Sequence, residues 1–413
     1  MKTLERLRAL ARDAESKILL YVIDGVGGLP HPETGKTELE VAATPNLDAF
    51  ALKSATGRTQ PAGVGVASGS GPGHLALFGY PNLEIDLPRG VLEVLGATKV
   101  YHNGEATEGT FELRATDLTA RGNFATVNEK LIVTDRRGGY PTTEQNEALI
   151  QRLSSEIRID GVELFFFPGK QHRFAIAMRG EGLRGARLTD TDPQQTGLEV
   201  RPPKPIGEER PRAVALIKEL MSKVHDVLGT SEPNYCLLRG IGTAPDLPSL
   251  EALYRIRAGA FAVYPMYRGV ARLVGMEIIA TDDRAAQIEQ IKRHFDDFDF
   301  FFVHIKEPDA WGHKGDFDGR VSEMEKVDEH FGALAALPFD VIAVTGDHST
   351  PTVIGDHSHH PVPTMVWSKN CLNDEVATYT ERSVATGTLG TIAARDLMAY
   401  LLAEAGRFNK FGA

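Results

Sequence analysis

A carboxylate and an imidazole four residues apart can share one divalent cation. Asp309 and His313 stand at that spacing in Asp309-Ala-Trp-Gly-His313. On a helical turn such a pair lies on one face, about 5–6 Å apart at Cβ, and oxygen and nitrogen donors together suit a bound metal ion. The same residue types recur as Asp24, as Gly346-Asp347-His348, and as His357 in Asp356-His357-Ser-His359-His360. Each has an ordinary explanation when taken singly: an Asp and a His this close form surface pairs, and Asp24-Gly25 can simply open a tight turn. Taken together, three Asp and three His suffice for two divalent cations with mixed nitrogen and oxygen ligands. Mn²⁺ or Zn²⁺ suits such a set, Mg²⁺ is a further option, and no thiolate favours a softer metal. Two neighbouring cations can hold the attacking and leaving oxygens of an in-line phosphoryl transfer.

Ser70 is the candidate nucleophile. It lies in Pro61-Ala-Gly-Val-Gly-Val-Ala-Ser-Gly-Ser-Gly-Pro-Gly-His74. So much glycine could be a linker, but the run leads straight into His74-Leu-Ala-Leu-Phe-Gly79, which reads as packed helix. A tight backbone entering a helix near Pro72 would offer amide N–H groups to a phosphate, with glycine allowing close approach. The serine hydroxyl needs a metal or a base to ionise.

The elements that position these groups are short apolar runs. Lys17 to Asp24, Phe300 to Val303 and Phe339 to Thr345 are nearly continuous in apolar residues, the pattern of strands buried on both faces of a parallel sheet. Asp24, Asp309 and Asp347-His348 each follow the end of such a run, and His313 and His357 lie in the adjoining loops. In a parallel sheet those ends share one rim, where open α/β sheets keep their ligands. Amphipathic helices are expected at Met1 to Glu15, Thr281 to Phe295, Val321 to Leu337 and Gly390 to Ala405. From about Gly90 to Pro233 the texture changes to short β-like runs (109–114, 131–134, 173–178) with helices near Thr143–Glu156 and Arg212–Leu228. The sequence therefore predicts an α/β domain over residues 1–90 and 234–413, interrupted by an α+β domain over 91–233. The apolar run Asn234–Gly242 reads as the return to the parallel sheet.

Candidate anion contacts are Arg136 and Arg137, His172 and Arg173, Arg239 at the end of a strand, and Arg268 at the start of a helix. Each one, taken alone, also reads as a solvated surface group. Lys306 is close enough to Asp309 to share its charge.

At 413 residues, two domains are expected. A formal charge of −11 argues against nucleic-acid or anionic-membrane partners. An anionic substrate would need metal ions or clustered arginines to reverse the potential locally. Two cysteines, Cys236 and Cys371, give no disulfide framework and fit a reducing cytoplasm. No stretch approaches the roughly 18 apolar residues of a membrane span.

These motifs resemble the alkaline-phosphatase superfamily, and within it the cofactor-independent phosphoglycerate mutases of archaeal type. The resemblance rests on Asp24-Gly25, Ser70-Gly-Pro-Gly-His74, Asp309-Ala-Trp-Gly-His313, Gly346-Asp347-His348 and His357-Ser-His-His-Pro-Val-Pro363. Asp135-Arg-Arg, Asp190-Thr-Asp192-Pro and Tyr264-Pro-Met-Tyr-Arg268 extend it through nearly the whole chain. It implies an alkaline-phosphatase-like, mostly parallel sheet flanked by helices, with the inserted α+β domain covering the substrate. It implies one cation on Asp24, Ser70, Asp347 and His348, and another on Asp309, His313 and His357, with His360 as the alternative to His357. The implied reaction interconverts 3-phosphoglycerate and 2-phosphoglycerate through a phosphoserine at Ser70. Arg136, Arg137, Arg173, Arg239, Arg268 and Lys306 form the pool of substrate contacts. The His-Ser-His segment of the longer bacterial mutases has no match here, which leaves open the group that protonates the leaving alkoxide. The competing readings are another enzyme of the superfamily (a metal-dependent phosphatase or a phosphopentomutase) and a non-catalytic phosphosugar- or metal-binding protein.

Overall fold

Strands with no polar face must be covered on both sides, and this requirement organises the first of two compact units. The computed structural model describes residues 2–412. Its units are Met1–Ile85 with Leu247–Ala413, and Asp86–Asp246. In the first, Ile18–Ile23, Phe300–Ile305 and Val341–Thr345 are buried at every position. They form the middle of an eight-stranded sheet in the order Glu277–Ile278, Ala258–Ala262, Phe300–Ile305, Ile18–Ile23, Val341–Thr345, Val362–Ser368, Ala55–Gln60, Gly390–Ala393. Only Val362–Ser368 runs against the rest. The mostly parallel α/β sheet expected from the apolar runs is therefore present.

Alternate residues of these strands feed two helical layers. Leu19, Tyr21, Ile23, Phe301 and Val303 pack with Leu47 and Phe50 of the helix Pro45–Ala51 and with Met324, Val327 and Phe331 of Phe317–Ala335. On the opposite face, Phe302 meets the rings of His74 and Phe78. There the helix Ser70–Leu77 packs against Pro265–Leu273 and Ala394–Glu404. All four expected helices have shifted ends: Thr281 to Phe295 narrows to Arg284–Arg293, and Val321 to Leu337 becomes Phe317–Ala335. Gly390–Ala393 is an edge strand preceding the last helix rather than its first turn, because its backbone pairs with Ala55–Gln60. The N-terminal helix spans Lys2–Leu10, and Met1 lies outside the described residues.

The second unit is an antiparallel sheet ordered Glu105–Glu108, Lys99–His102, Val162–Pro168, Arg173–Gly180, Asp117–Val127, Tyr235–Gly242, Arg187–Leu188. Helices Thr143–Glu156 and Pro211–Leu228 bury Ile150, Leu153, Leu220 and Val224 against one face, with Phe124, Ile176 and Leu238. Val94 of the helix Arg89–Gly96 packs on the other, with Ala175 and Ala177. The strand Tyr235–Gly242 corrects the expected boundary at 233/234. Its apolar run suggests a return to the parallel sheet, but it pairs with Asp117–Val127, so this unit extends to Asp246. A run buried on both faces reads the same in either sheet, which is why sequence alone misplaces it. Among the described residues no helix is long and apolar enough to cross a membrane.

His330 lies inside the first unit, with Nδ1 2.9 Å from the Tyr21 hydroxyl and Nε2 3.1 Å from the Arg284 carbonyl. A neutral ring protonated at Nε2 satisfies both contacts, and burial followed by the charge of Arg284 pushes its pKa down to about 4. Between that value and the ordinary 6.5 the unfolded chain binds the extra proton, so stability falls as pH drops through this window. Urea titrations from pH 7 to pH 4 should show that fall, and His330→Gln should flatten it.

Candidate functional site

Adjacent parallel strands in register deliver their following residues to one place. Val22 pairs with His304 and with Thr345, so Asp24, Lys306 and Asp347 emerge side by side at the carboxyl rim. The helix Glu307–Lys314 starts there, with Pro308 in its first turn and Gly315 closing it at φ +68°. This helix sets Asp309 and His313 on one face.

The side chains gather into two clusters. In the first, His348 Nε2 lies 3.4 Å from Asp24 Oδ1, 3.2 Å from Asp347 Oδ2 and 3.2 Å from the Ser70 hydroxyl. In the second, Asp309 Oδ1 lies 3.5 Å from His313 Nε2 and 3.6 Å from His357 Nε2. The candidate ligand atoms of each triad, Asp24/Asp347/His348 and Asp309/His313/His357, lie within 4.8 Å of one another. All three imidazoles face inward through Nε2 because Nδ1 is engaged elsewhere. His313 Nδ1 meets the Gly355 carbonyl at 3.1 Å, His357 Nδ1 the Ser68 carbonyl at 2.8 Å, and His348 Nδ1 the Thr350 hydroxyl at 3.0 Å. Such outer contacts fix the tautomer a metal ligand requires. His360 turns away, with its Nδ1 3.0 Å from the hydroxyl of Ser358. The structure thus brings His357, and not His360, to Asp309.

Whether these clusters suit cations can be judged from their unmet bonding. Asp24 Oδ1 and Asp347 Oδ2 are fully buried and have no hydrogen-bond partner among the described residues. A buried, unpaired carboxylate oxygen is costly, and a divalent cation at this point would satisfy both. The donor set fits.

The electrostatics are held by a layer with little signature in the sequence. Burial opposes charge on Asp24, yet Lys306, His304 and His348 hold its carboxyl well below the usual range. Burial and Asp24 work against charge on Asp347, and His348 with His74 bring it below the usual range. Beneath the rim, Tyr267 donates its hydroxyl to Asp24 Oδ2, and its ring stacks on His304 at 3.5 Å between centroids. Burial, and then the two carboxylates, push the Tyr267 phenol well above its ordinary value, which keeps it a donor. Thr350 donates to Asp309 Oδ1 at 2.8 Å while touching His348, so one hydroxyl serves both clusters. Nothing in the sequence marks Thr350. Tyr267 and His74 could have been suspected from their places in Tyr264-Pro-Met-Tyr267 and Ser70-Gly-Pro-Gly-His74.

The arginine candidates separate. Arg268, in the first unit, donates to the Ala262 and Thr281 carbonyls. In the second unit, Arg136 forms a bidentate pair with the buried Asp192, and Arg239 Nε lies 3.3 Å from Asp190. Asp190-Thr-Asp192 thus orients two arginines. Arg137 contacts the Tyr140 hydroxyl. Cross-strand register places Arg239 opposite Arg121, and Arg173 opposite Asn123, so all four share one face of the sheet. The sequence does not single out Arg121, which is one arginine among many there. It is 9 % exposed and its Nε has no hydrogen-bond partner among the described residues. Burial, then Arg89, Arg173 and Arg239, bring its pKa down to about 10.

Residues 16–404 match the Metalloenzyme superfamily. The chain is 43% identical over 412 residues to a "Probable 2,3-bisphosphoglycerate-independent phosphoglycerate mutase" of Thermotoga sp. (strain RQ2), covering 99% of both chains. The chain belongs to this family. A protein of the same name from Thermus thermophilus is 42% identical, with 98% of each chain covered. The solved "Cofactor-Independent Phosphoglycerate mutase from Thermoplasma Acidophilum DSM 1728" superposes with a TM-score of 0.69 at 25% identity, over 95% of this chain and 100% of that one. The metal-binding class expected from the scattered Asp and His residues is that of the superfamily.

Gly73 lets the helix Ser70–Leu77 lie against the Asp347 backbone, since a Cβ there would come 2.2 Å from the Asp347 carbonyl oxygen. Gly73→Ala should displace Asp347 and weaken uptake of a divalent cation at least about tenfold, measured by calorimetry.

Proposed function

We propose that this protein interconverts 3-phosphoglycerate and 2-phosphoglycerate without added 2,3-bisphosphoglycerate, using Ser70 as the phosphoryl carrier. The observation that carries this reading is the Ser70 hydroxyl at 3.2 Å from His348 Nε2, beside two buried carboxylates with unmet oxygens. We assign one divalent cation to Asp24, Ser70, Asp347 and His348 and another to Asp309, His313 and His357, with Mn²⁺ preferred over Zn²⁺ or Mg²⁺. When bound, these cations supply the positive charge that favours an ionised serine and a transferring phosphoryl group.

The protein's own groups do the rest. Ser70 attacks phosphorus, an O–P bond forms to the serine, and the bond from phosphorus to the glycerate oxygen breaks. That oxygen takes up a proton, leaving glycerate beside phosphoserine. After glycerate turns, its other hydroxyl gives up its proton and attacks the phosphoserine, which restores the Ser70 oxygen. Tyr267 and Lys306 hold Asp24 throughout, and the Nδ1 contacts keep the imidazoles from turning. To the second unit we assign the holding of glycerate and the exclusion of water, because water reaching phosphoserine would release free phosphate instead. Its face bearing Arg121, Arg173 and Arg239 suits a carboxylate, which arginine binds in bidentate fashion. Arg136 and Arg137 belong to the same unit, and Arg268 is the least available of the pool, since its donors are engaged with backbone carbonyls.

An enolase-coupled assay with Mn²⁺ and no bisphosphate should show turnover that chelation abolishes, with little free phosphate released. Activity after full chelation would refute the scheme. Ser70→Ala should lower turnover by at least about a thousandfold while the protein still folds and takes up Mn²⁺. Arg121→Met should raise KM for 3-phosphoglycerate by roughly tenfold or more, as expected for a lost charge-assisted hydrogen bond of about 1.5–3 kcal/mol. An unchanged KM would remove Arg121 from the substrate site.

A further inference from the structure

The two acidic residues nearest to Lys306 belong to different clusters, and their carboxylates are used in a divided way. Asp24 turns Oδ1 towards His348, and Asp309 turns Oδ1 towards His313 and His357. The other oxygen of each points to the same ammonium. Lys306 Nζ hydrogen-bonds Asp309 Oδ2 and lies 3.1 Å from Asp24 Oδ2. One positive charge therefore joins the outer oxygens of both carboxylates and leaves the inner oxygens to face the imidazoles.

We propose that Lys306 is the positioning residue that sets the separation of the two cation sites. The inference rests on the reading of these clusters as cation sites. The chain favours such a role. Lys306 follows the buried strand Phe300–Ile305 directly, and its side chain is 27 % exposed, which confines it to the rim. It lies 5.7 Å over the Tyr267 ring, and the Tyr267 hydroxyl shares Asp24 Oδ2 with it. An ammonium bridging two carboxylates limits how far they can spread under mutual repulsion. Without it, Asp24 would keep its contact with Tyr267, and Asp309 its contact with Thr350. The direct bridge between the two carboxylates would then be gone, leaving only the longer link from Asp309 through Thr350 and His348 to Asp24.

Mn²⁺ is the probe. Two Mn²⁺ ions held a few ångströms apart give an exchange-coupled pair spectrum by electron paramagnetic resonance, whereas isolated ions give the simple hyperfine pattern. The wild-type protein should show the pair spectrum. Lys306→Met should lose it, with the second equivalent of Mn²⁺ binding at least about tenfold more weakly and the circular dichroism unchanged. Lys306→Arg, whose planar guanidinium can also bridge two carboxylates, should keep a pair spectrum but with altered coupling. A wild-type pair spectrum and isotherm in Lys306→Met would overturn the inference alone. If the methionine variant does not fold, the arginine variant decides, and coupling identical to wild type overturns the inference. A wild-type protein that takes up no Mn²⁺ would instead overturn the cation-site reading itself.

Discussion

Two buried carboxylates side by side are the constraint around which the first unit is built. Asp24 and Asp347 follow adjacent parallel strands, so the register that packs the core also forces like charges together at its rim. In a low-dielectric setting their repulsion is substantial. The structure answers with groups that each have a second attachment. Tyr267 is stacked on His304, His74 Nδ1 lies 2.8 Å from the Ser70 carbonyl and 3.3 Å from Asp347, and Lys306 follows a fully buried strand. Tyr267 and His74, both fully buried, cannot turn from their carboxylates without also giving up these second contacts.

A second anchor lies beneath the loops. Arg320, on the helix Phe317–Ala335, is fully buried and donates to the Gly25 and Thr350 carbonyls and to Glu38. Glu38 in turn accepts from the Thr352 hydroxyl at 2.6 Å. Buried charges persist when they are paired. The two Nη groups of Arg320 find their partners in Glu38, the turn after Asp24 and the segment carrying His348 and Thr350. Arg320 Nε and Glu38 Oε2 have no hydrogen-bond partner among the described residues. Gly25 must be glycine in this arrangement. It has φ +66°, and a Cβ would sit 2.6 Å from the Thr350 hydroxyl oxygen.

The parts of this arrangement that are legible in the sequence are those with a local signature. Apolar runs mark the central strands because a layer on each face demands apolar residues in succession, and the polar residues after them can be assigned to one rim. Thr142 with Gln145 forms a capping box, a local signature that marks the start of the helix Thr143–Glu156. Three things are not. The strand Tyr235–Gly242 has the pattern of a buried strand in either sheet, so its partner is invisible. Arg121, Thr350 and Arg320 owe their importance to neighbours distant in sequence, which no local spacing reports. The preference for His357 over His360 comes from the resemblance alone, and what places His357 beside Asp309 is Nδ1 reaching the Ser68 carbonyl, a contact between residues far apart in the chain.

The reversed strand Val362–Ser368 carries one more implication. Because it runs opposite to Val341–Thr345, the segment joining them leaves and re-enters the sheet at the same edge, both of its feet stitched into neighbouring strands. His348 and Thr350 lie on one foot and His357 near the other, while the tip exposes Val353 at 41% and Ile354 at 50%. A change of side chain at Val353 or Ile354 can therefore leave the chemistry in place, whereas a change in the tip's length would pull on the Gly355 carbonyl that holds His313 Nδ1, as a hinge pin can be recoloured but not shortened while the plates stay screwed down.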